Sequence, residues 1–104
     1  MDVYIHYNLN GGTPDAHTKI KDTMKNELGY MDLFTIKSDK YYLPNASLWH
    51  KKKTSLKEPY ADLVNVVAEI NKLRKENDKV IIERCIVLPF GDEWFAIPGQ
   101  PHAS

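Results

Sequence analysis

The strongest constraint on this chain is the order in which two hydrophobic periods follow one another. Residues 3–9 alternate: Val3, Ile5, Tyr7 and Leu9 point one way, and Tyr4, His6 and Asn8 the other. That is the pattern of a half-buried strand. Asn10-Gly11-Gly12 ends it, because glycines allow the backbone angles a turn needs. The period then lengthens. Ala16, Ile20, Met24 and Leu28 recur every four residues and form one apolar stripe of a helix. Thr13 is placed to cap it, Pro14 fits the first helical position, and Gly29 is placed to stop it.

Leu33 to Lys37 reads as a second strand, rich in β-favouring Phe34, Thr35 and Ile36, with Ser38-Asp39-Lys40 as a turn. Tyr41 to Leu43 looks extended, Pro44-Asn45 interrupts, and Leu48 to Lys53 reads as strand again. Leu63, Val66, Val67, Ile70 and Leu73 share one helical face. Ser55-Leu56-Lys57-Glu58 resembles a capping box, and Pro59 places the helix start near Glu58. Lys72, Arg74 and Lys75 suit its C-terminal end, and Asn77 can terminate it. The last strand spans Val80 to Leu88. Strict alternation puts Val80, Ile82, Ile86 and Leu88 on one face and Ile81, Cys85 and Val87 on the other. Apolar residues on both faces imply that both are covered, one by the helices and one by a second subunit or the tail. Trp94 to Ile97 suggests a short additional strand, and 98–104 an irregular tail.

The order β-α-β-β-α-β fits an α+β, ferredoxin-like split βαβ arrangement, with two helices on one face of an antiparallel sheet. At 104 residues the chain makes a single domain over 1–104. Cys85 is the one cysteine, so no internal disulfide forms, which argues for a reducing compartment. No signal-peptide pattern opens the sequence, and no apolar run reaches the ~20 residues of a membrane span. The expectation is a cytoplasmic protein that does not use a membrane.

Four scattered histidines and one cysteine give no zinc pattern, and no glycine loop cradles a phosphate, so no metal or cofactor is expected. Gly11-Gly12 before a helix is a faint anion-site signal, better explained as a turn. Cys85 in an apolar strand reads as structural. His6 and Asn8, on the outer side of the first strand with Tyr4, are the candidate catalytic residues. They could bind phosphate or exchange protons, though a solvated or dimer-facing strand explains them too. Trp49-His50-Lys51-Lys52-Lys53 is the most suggestive segment. On a strand, Trp49, Lys51 and Lys53 share a face, giving a stacking surface among phosphate-attracting cations. With Tyr4 these five are the candidate nucleic-acid-binding residues. The alternative is an edge strand whose lysines block aggregation. Asp92-Glu93 could contribute to a metal site or be plain turn acids.

The first strand looks a little like that of RNA-recognition motifs, but the aromatic second motif of that family is missing from 46–53. A better match joins Tyr7-Asn8-Leu9-Asn10, Leu28-Gly29-Tyr30, Leu48-Trp49, Lys53-Thr54-Ser55 and Asn77-Asp78. Over about 3–88 these resemble the small dimeric CRISPR-associated ferredoxin-like nucleases and their relatives: virulence-associated protein D ribonucleases, the antitoxin GhoS and SinR-like proteins. The resemblance implies a small RNA-binding or ribonuclease-like homodimer, of a toxin–antitoxin or mobile-element system. The metal-dependent members carry Asp where this chain has Asn8, and an amide is a poor ligand for a hard divalent cation. The competing readings are a non-catalytic module for a protein partner, and a small-molecule enzyme using His6 or Tyr7.

Overall fold

Strand β1 (Val3–Asn10) forms the middle of a three-stranded antiparallel sheet, flanked by β4 (Ser47–His50) and β5 (Ile81–Pro89). Its alternation decides what each face meets. Val3, Ile5 and Tyr7 are buried, while Asn8 and Asn10 are exposed. The computed structural model describes residues 1–91 and 93–102. Two helices, α1 (Pro14–Leu28) and α2 (Glu58–Asn71), cover the buried face of the sheet. Ala16, Ile20 and Met24 from α1 meet Leu63, Val66 and Val67 from α2 over Ile5, Tyr7 and Leu48.

The local signals at α1 behave as their chemistry requires. Thr13 Oγ1 accepts from Ala16 N–H at 3.3 Å. Gly29 takes a left-handed φ of 77° at the C-terminal end. Gly11 also has a φ of 77°, and a Cβ there would lie 2.4 Å from the Lys79 carbonyl oxygen. The turn therefore needs glycine twice over, for angle and for space.

Several elements differ from the sequence reading. Residues 33–42 form a hairpin of β2 (Leu33–Ile36) and β3 (Asp39–Tyr42), with the turn at Lys37-Ser38 and Lys37 at a φ of 57°. The turn lies earlier than 38–40, and the order is β-α-β-β-β-α-β. The hairpin is a separate two-stranded sheet, joined to β4 by one bridge between Met31 and Trp49. Strand β4 stops at His50 rather than Lys53. The main chain at Lys53 turns to the N-terminus instead: its N–H donates to the Met1 carbonyl, and the Met1 ammonium donates to its carbonyl.

Helix α2 starts at Glu58 as expected, but Thr54, not Ser55, meets Glu58. Its N–H and hydroxyl both donate to Oε1. The helix stops at Asn71, earlier than the basic run implies. The Asn71 amide bonds both the N–H and the C=O of Val80, fixing the chain where it enters the last strand. Leu73, expected on the apolar face, falls beyond the helix and is 98% exposed.

Strict alternation fails in β5 for a specific reason. Asn8 pairs with Arg84 but Leu9 pairs with Ile82, so Glu83 is an extra residue, a β-bulge. The bulge swaps faces. Ile82 joins Cys85 and Val87 against the helices, while Ile81, Ile86 and Leu88 are exposed. The outer face of this strand is thus not covered within one chain. Residues 94–97 form no strand, and no regular element occurs among residues 93–102.

Candidate nucleic-acid interface on the open sheet face

Pairing across three strands sets the outer face in rows. Trp49, Tyr4 and Leu88 make one, Ser47, His6 and Ile86 the next, and Asn8 and Arg84 the third. Directly opposed residues share a face, so Tyr4, His6, Asn8 and Arg84 come together.

Ser47 organises the centre. It is fully buried, with Oγ 2.9 Å from Tyr4 Oη and 2.8 Å from His6 Nδ1. A hydroxyl has one proton to donate, so the chain of bonds has two directions. With Tyr4 donating to Ser47 and Ser47 to Nδ1, neutral His6 presents an N–H at Nε2. With Nδ1–H donating to Ser47 and Ser47 to Tyr4, it presents a lone pair at Nε2. The outward nitrogen can therefore give or take a proton while the buried hydroxyl stays satisfied.

The basic segment is divided. Lys51 lies with its ammonium 5.5 Å from the centre of the Trp49 ring, and Lys52 is exposed. Trp49 is on the outer face but only 7% exposed; its Nε1–H donates to the Leu33 carbonyl, and Phe34 and Phe90 pack against its ring. It serves the core more than a ligand. His50 turns to the helix side. Its Nδ1 accepts from Lys52 N–H, so Nε2 carries the proton and donates to the Leu28 carbonyl at 3.0 Å. Lys53 also turns inward, 2.9 Å from Asp62 and 3.8 Å from Glu58, with its ammonium 5.1 Å from the Tyr30 ring centre. The shared face of Trp49, Lys51 and Lys53 does not exist, because no strand runs through Lys51 to Lys53.

Tyr7, an alternative acid or base, is 3% exposed in the core, and burial pushes its phenol far above the ordinary value. Burial also raises the Cys85 thiol, which disfavours the reactive thiolate. Glu93 is exposed, whereas its neighbour Asp92 lies outside the described residues. Among the described residues no three His, Cys, Asp or Glu side chains cluster to hold a metal ion. No helix among them is long and apolar enough to cross a membrane.

No sequence pattern singles out Ser47 or Arg84. Ser47 becomes informative only through its register opposite His6, which no local pattern encodes. Arg84 faces outward because it lies directly opposite Asn8, at the end of the unbroken stretch of pairing.

A second feature lies on the helix side. A 690 Å³ cleft is lined by α1, the end of β1, the hairpin and the C-terminal residues Pro101 and His102. Asp32 sits within it, with Oδ2 2.9 Å from Lys25, 3.8 Å from Lys21 and 3.2 Å from His102 Nδ1. Burial raises the Asp32 carboxyl, but Lys25, Lys21 and His102 together outweigh it and hold the group below its ordinary value.

Comparison with protein-family models, curated proteins and solved structures finds no match to this chain.

Proposed function

We propose that the chain is an RNA-binding, ribonuclease-like protein whose ligand lies across the open sheet face, with His6 as its proton-transfer group. The observation that carries this is the Tyr4–Ser47–His6 chain of hydrogen bonds, with Lys51 toward one end of the face and Arg84 toward the other. Two cations attract phosphates, Tyr4 and the exposed Ile86 and Leu88 offer surfaces for bases, and the buried Ser47 holds the imidazole. RNA carries its own nucleophile in the 2′-hydroxyl: as His6 Nε2 takes its proton, the 2′-oxygen bonds to the adjacent phosphorus, the bond from phosphorus to the 5′-oxygen breaks, and the leaving oxygen takes a proton from the imidazolium or from water, giving a 2′,3′-cyclic phosphate. Asn8 beside this site agrees with metal-independent chemistry. A ferredoxin-like arrangement is part of the proposal: β1 lies between β4 and β5 with both helices on one face, and Met31, just before β2, bridges to Trp49 at β4's edge.

Fluorescence anisotropy with a labelled mixed-sequence single-stranded RNA tests the reading. Affinity should fall with salt. Lys51→Ala and Arg84→Ala should each reduce the salt slope by about one contact. No binding at low salt would remove it. Exposed Ile81, Ile86 and Leu88 favour a second reading, in which this face carries a second copy or another protein. A complex that survives nuclease treatment and masks these residues would favour that reading.

A further inference from the structure

We infer that the free edge of β5 is a self-pairing interface, on which a second copy of this chain lies antiparallel about a twofold axis between Glu83 and Arg84. β5 is the last strand of its sheet, and among the described residues no strand pairs with its outer edge. That edge holds no lysine, and its one proline, Pro89, stands at the end. An open edge of this length is a template for another strand. The described C-terminal residues do not cover it. Trp94 packs on Phe34 and Tyr41, and His102 bonds the Leu43 carbonyl, both at the hairpin, which joins the opposite edge of the sheet through Met31.

A bulge can deflect an edge from pairing. Here it makes the edge match itself. Residues directly opposed across antiparallel strands share a face. Ile81 and Ile86 are an odd number of residues apart, so a regular strand would turn them to opposite faces. The extra residue, Glu83, puts both on the open face, where they are 62% and 52% exposed. It likewise puts Ile82 and Cys85 together on the helix side. About the proposed axis Ile81 opposes the partner's Ile86, Ile82 the partner's Cys85, and Glu83 the partner's Arg84, each pair occurring twice. Apolar meets apolar and acid meets base. Within one chain Glu83 and Arg84 are 3.8 Å apart with exposed side chains, too far for a hydrogen bond, so both keep capacity for a partner.

The helix side adds apolar surface. A 380 Å³ groove runs beside the edge, lined by Tyr60 of α2 with Ile82, Cys85 and Val87. Tyr60 is itself largely exposed. Pairing sets the partner's Ile82 and Cys85 beside this groove, while the edge's N–H and C=O groups find partners. The two three-stranded sheets become one, with both open faces on the same side and free. Edge pairing therefore leaves Tyr4 and His6 available to a ligand, unlike packing of one open face on another.

The test uses the full chain without RNA, so it is independent of what the open face binds. Light scattering should give twice the chain mass at the concentrations used for NMR. In a mixture of isotope-labelled and unlabelled chains, filtered nuclear Overhauser contacts should join the Ile81 and Ile86 methyls. Within one chain these residues lie opposite Asn10 and His6, about 13 Å apart, so contact between them arises only across the axis. Glu83→Lys sets like charges against each other twice and should weaken the dimer at least about tenfold. Adding Arg84→Glu restores opposite charges and should recover most of that affinity. A monomer, or a dimer without the Ile81–Ile86 contacts, would overturn the inference. So would a Glu83→Lys dimer of unchanged affinity, or a double variant no tighter than Glu83→Lys alone.

Discussion

Replacing Lys53 with Met separates a lysine that holds the fold from lysines that meet a ligand. The Lys53 side chain is only 12% exposed and lies 2.9 Å from Asp62, which also accepts a 2.7 Å hydrogen bond from the Tyr30 hydroxyl. Burial, then Asp62, raises the Tyr30 phenol, so that hydroxyl remains a donor. Met keeps the apolar stem and removes the charge. A partly exposed ion pair contributes up to about 1 kcal/mol, and a cation over an aromatic ring about 0.5–2 kcal/mol. Solvent reaches Asp62 and Glu58, which keeps the sum to about 2 kcal/mol. With a urea m-value of roughly 1 kcal/mol/M for a domain this small, the unfolding midpoint should drop by about 2 M. Pairing with Asp62→Asn in a double-mutant cycle isolates the interaction itself. RNA affinity of the folded variant should match the unaltered chain. A stability loss under about 0.5 kcal/mol, or a loss of affinity as large as that of Lys51→Ala, would refute the assignment.

Three further outcomes follow from single contacts. Ser47→Ala should destabilise by only about 1 kcal/mol, because Tyr4 and His6 can turn to water; it should still move the His6 tautomer balance seen in imidazole ¹⁵N shifts, and unchanged shifts would contradict its role. Gly11→Ala should destabilise by at least about 1–2 kcal/mol in thermal or urea unfolding, since both φ and the Lys79 oxygen oppose a Cβ; a neutral effect would contradict the tight turn. Asp32, held below its ordinary value, contributes stability that is full above its unfolded value, about 3.9, and lost as pH falls through the folded one; Asp32→Asn should therefore flatten the acid limb of a stability profile below about pH 4.

Much of the scaffold was legible because it rests on local chemistry. The alternation of β1, the Thr13-Pro14 cap, the Gly29 stop and the start of α2 at Glu58 each depend on neighbours within a turn or two. Local patterns mislead where distant residues decide. Asn71 ends α2 by binding Val80 nine residues on, despite a basic run that suits a longer helix. The bulge at Glu83 reassigns every later side chain in β5, and period-two reasoning cannot register one extra residue. The candidate site shows the same division. Tyr4, His6 and Asn8 could be read from one strand, whereas Ser47 and Arg84 join them only through pairing. The run from His50 to Lys53 reads as a single strip in sequence, whereas Leu28, Asp62 and Tyr30 hold its two ends on the helix side.

The most direct test of the open sheet face as an RNA site is amide and side-chain chemical-shift mapping of the chain with a short single-stranded RNA. Perturbations should centre on Tyr4, His6, Asn8, Arg84 and Ile86, spare Lys53 and His50, and vanish in high salt. Shifts confined to the helix side, or none at all at low salt, would contradict that assignment.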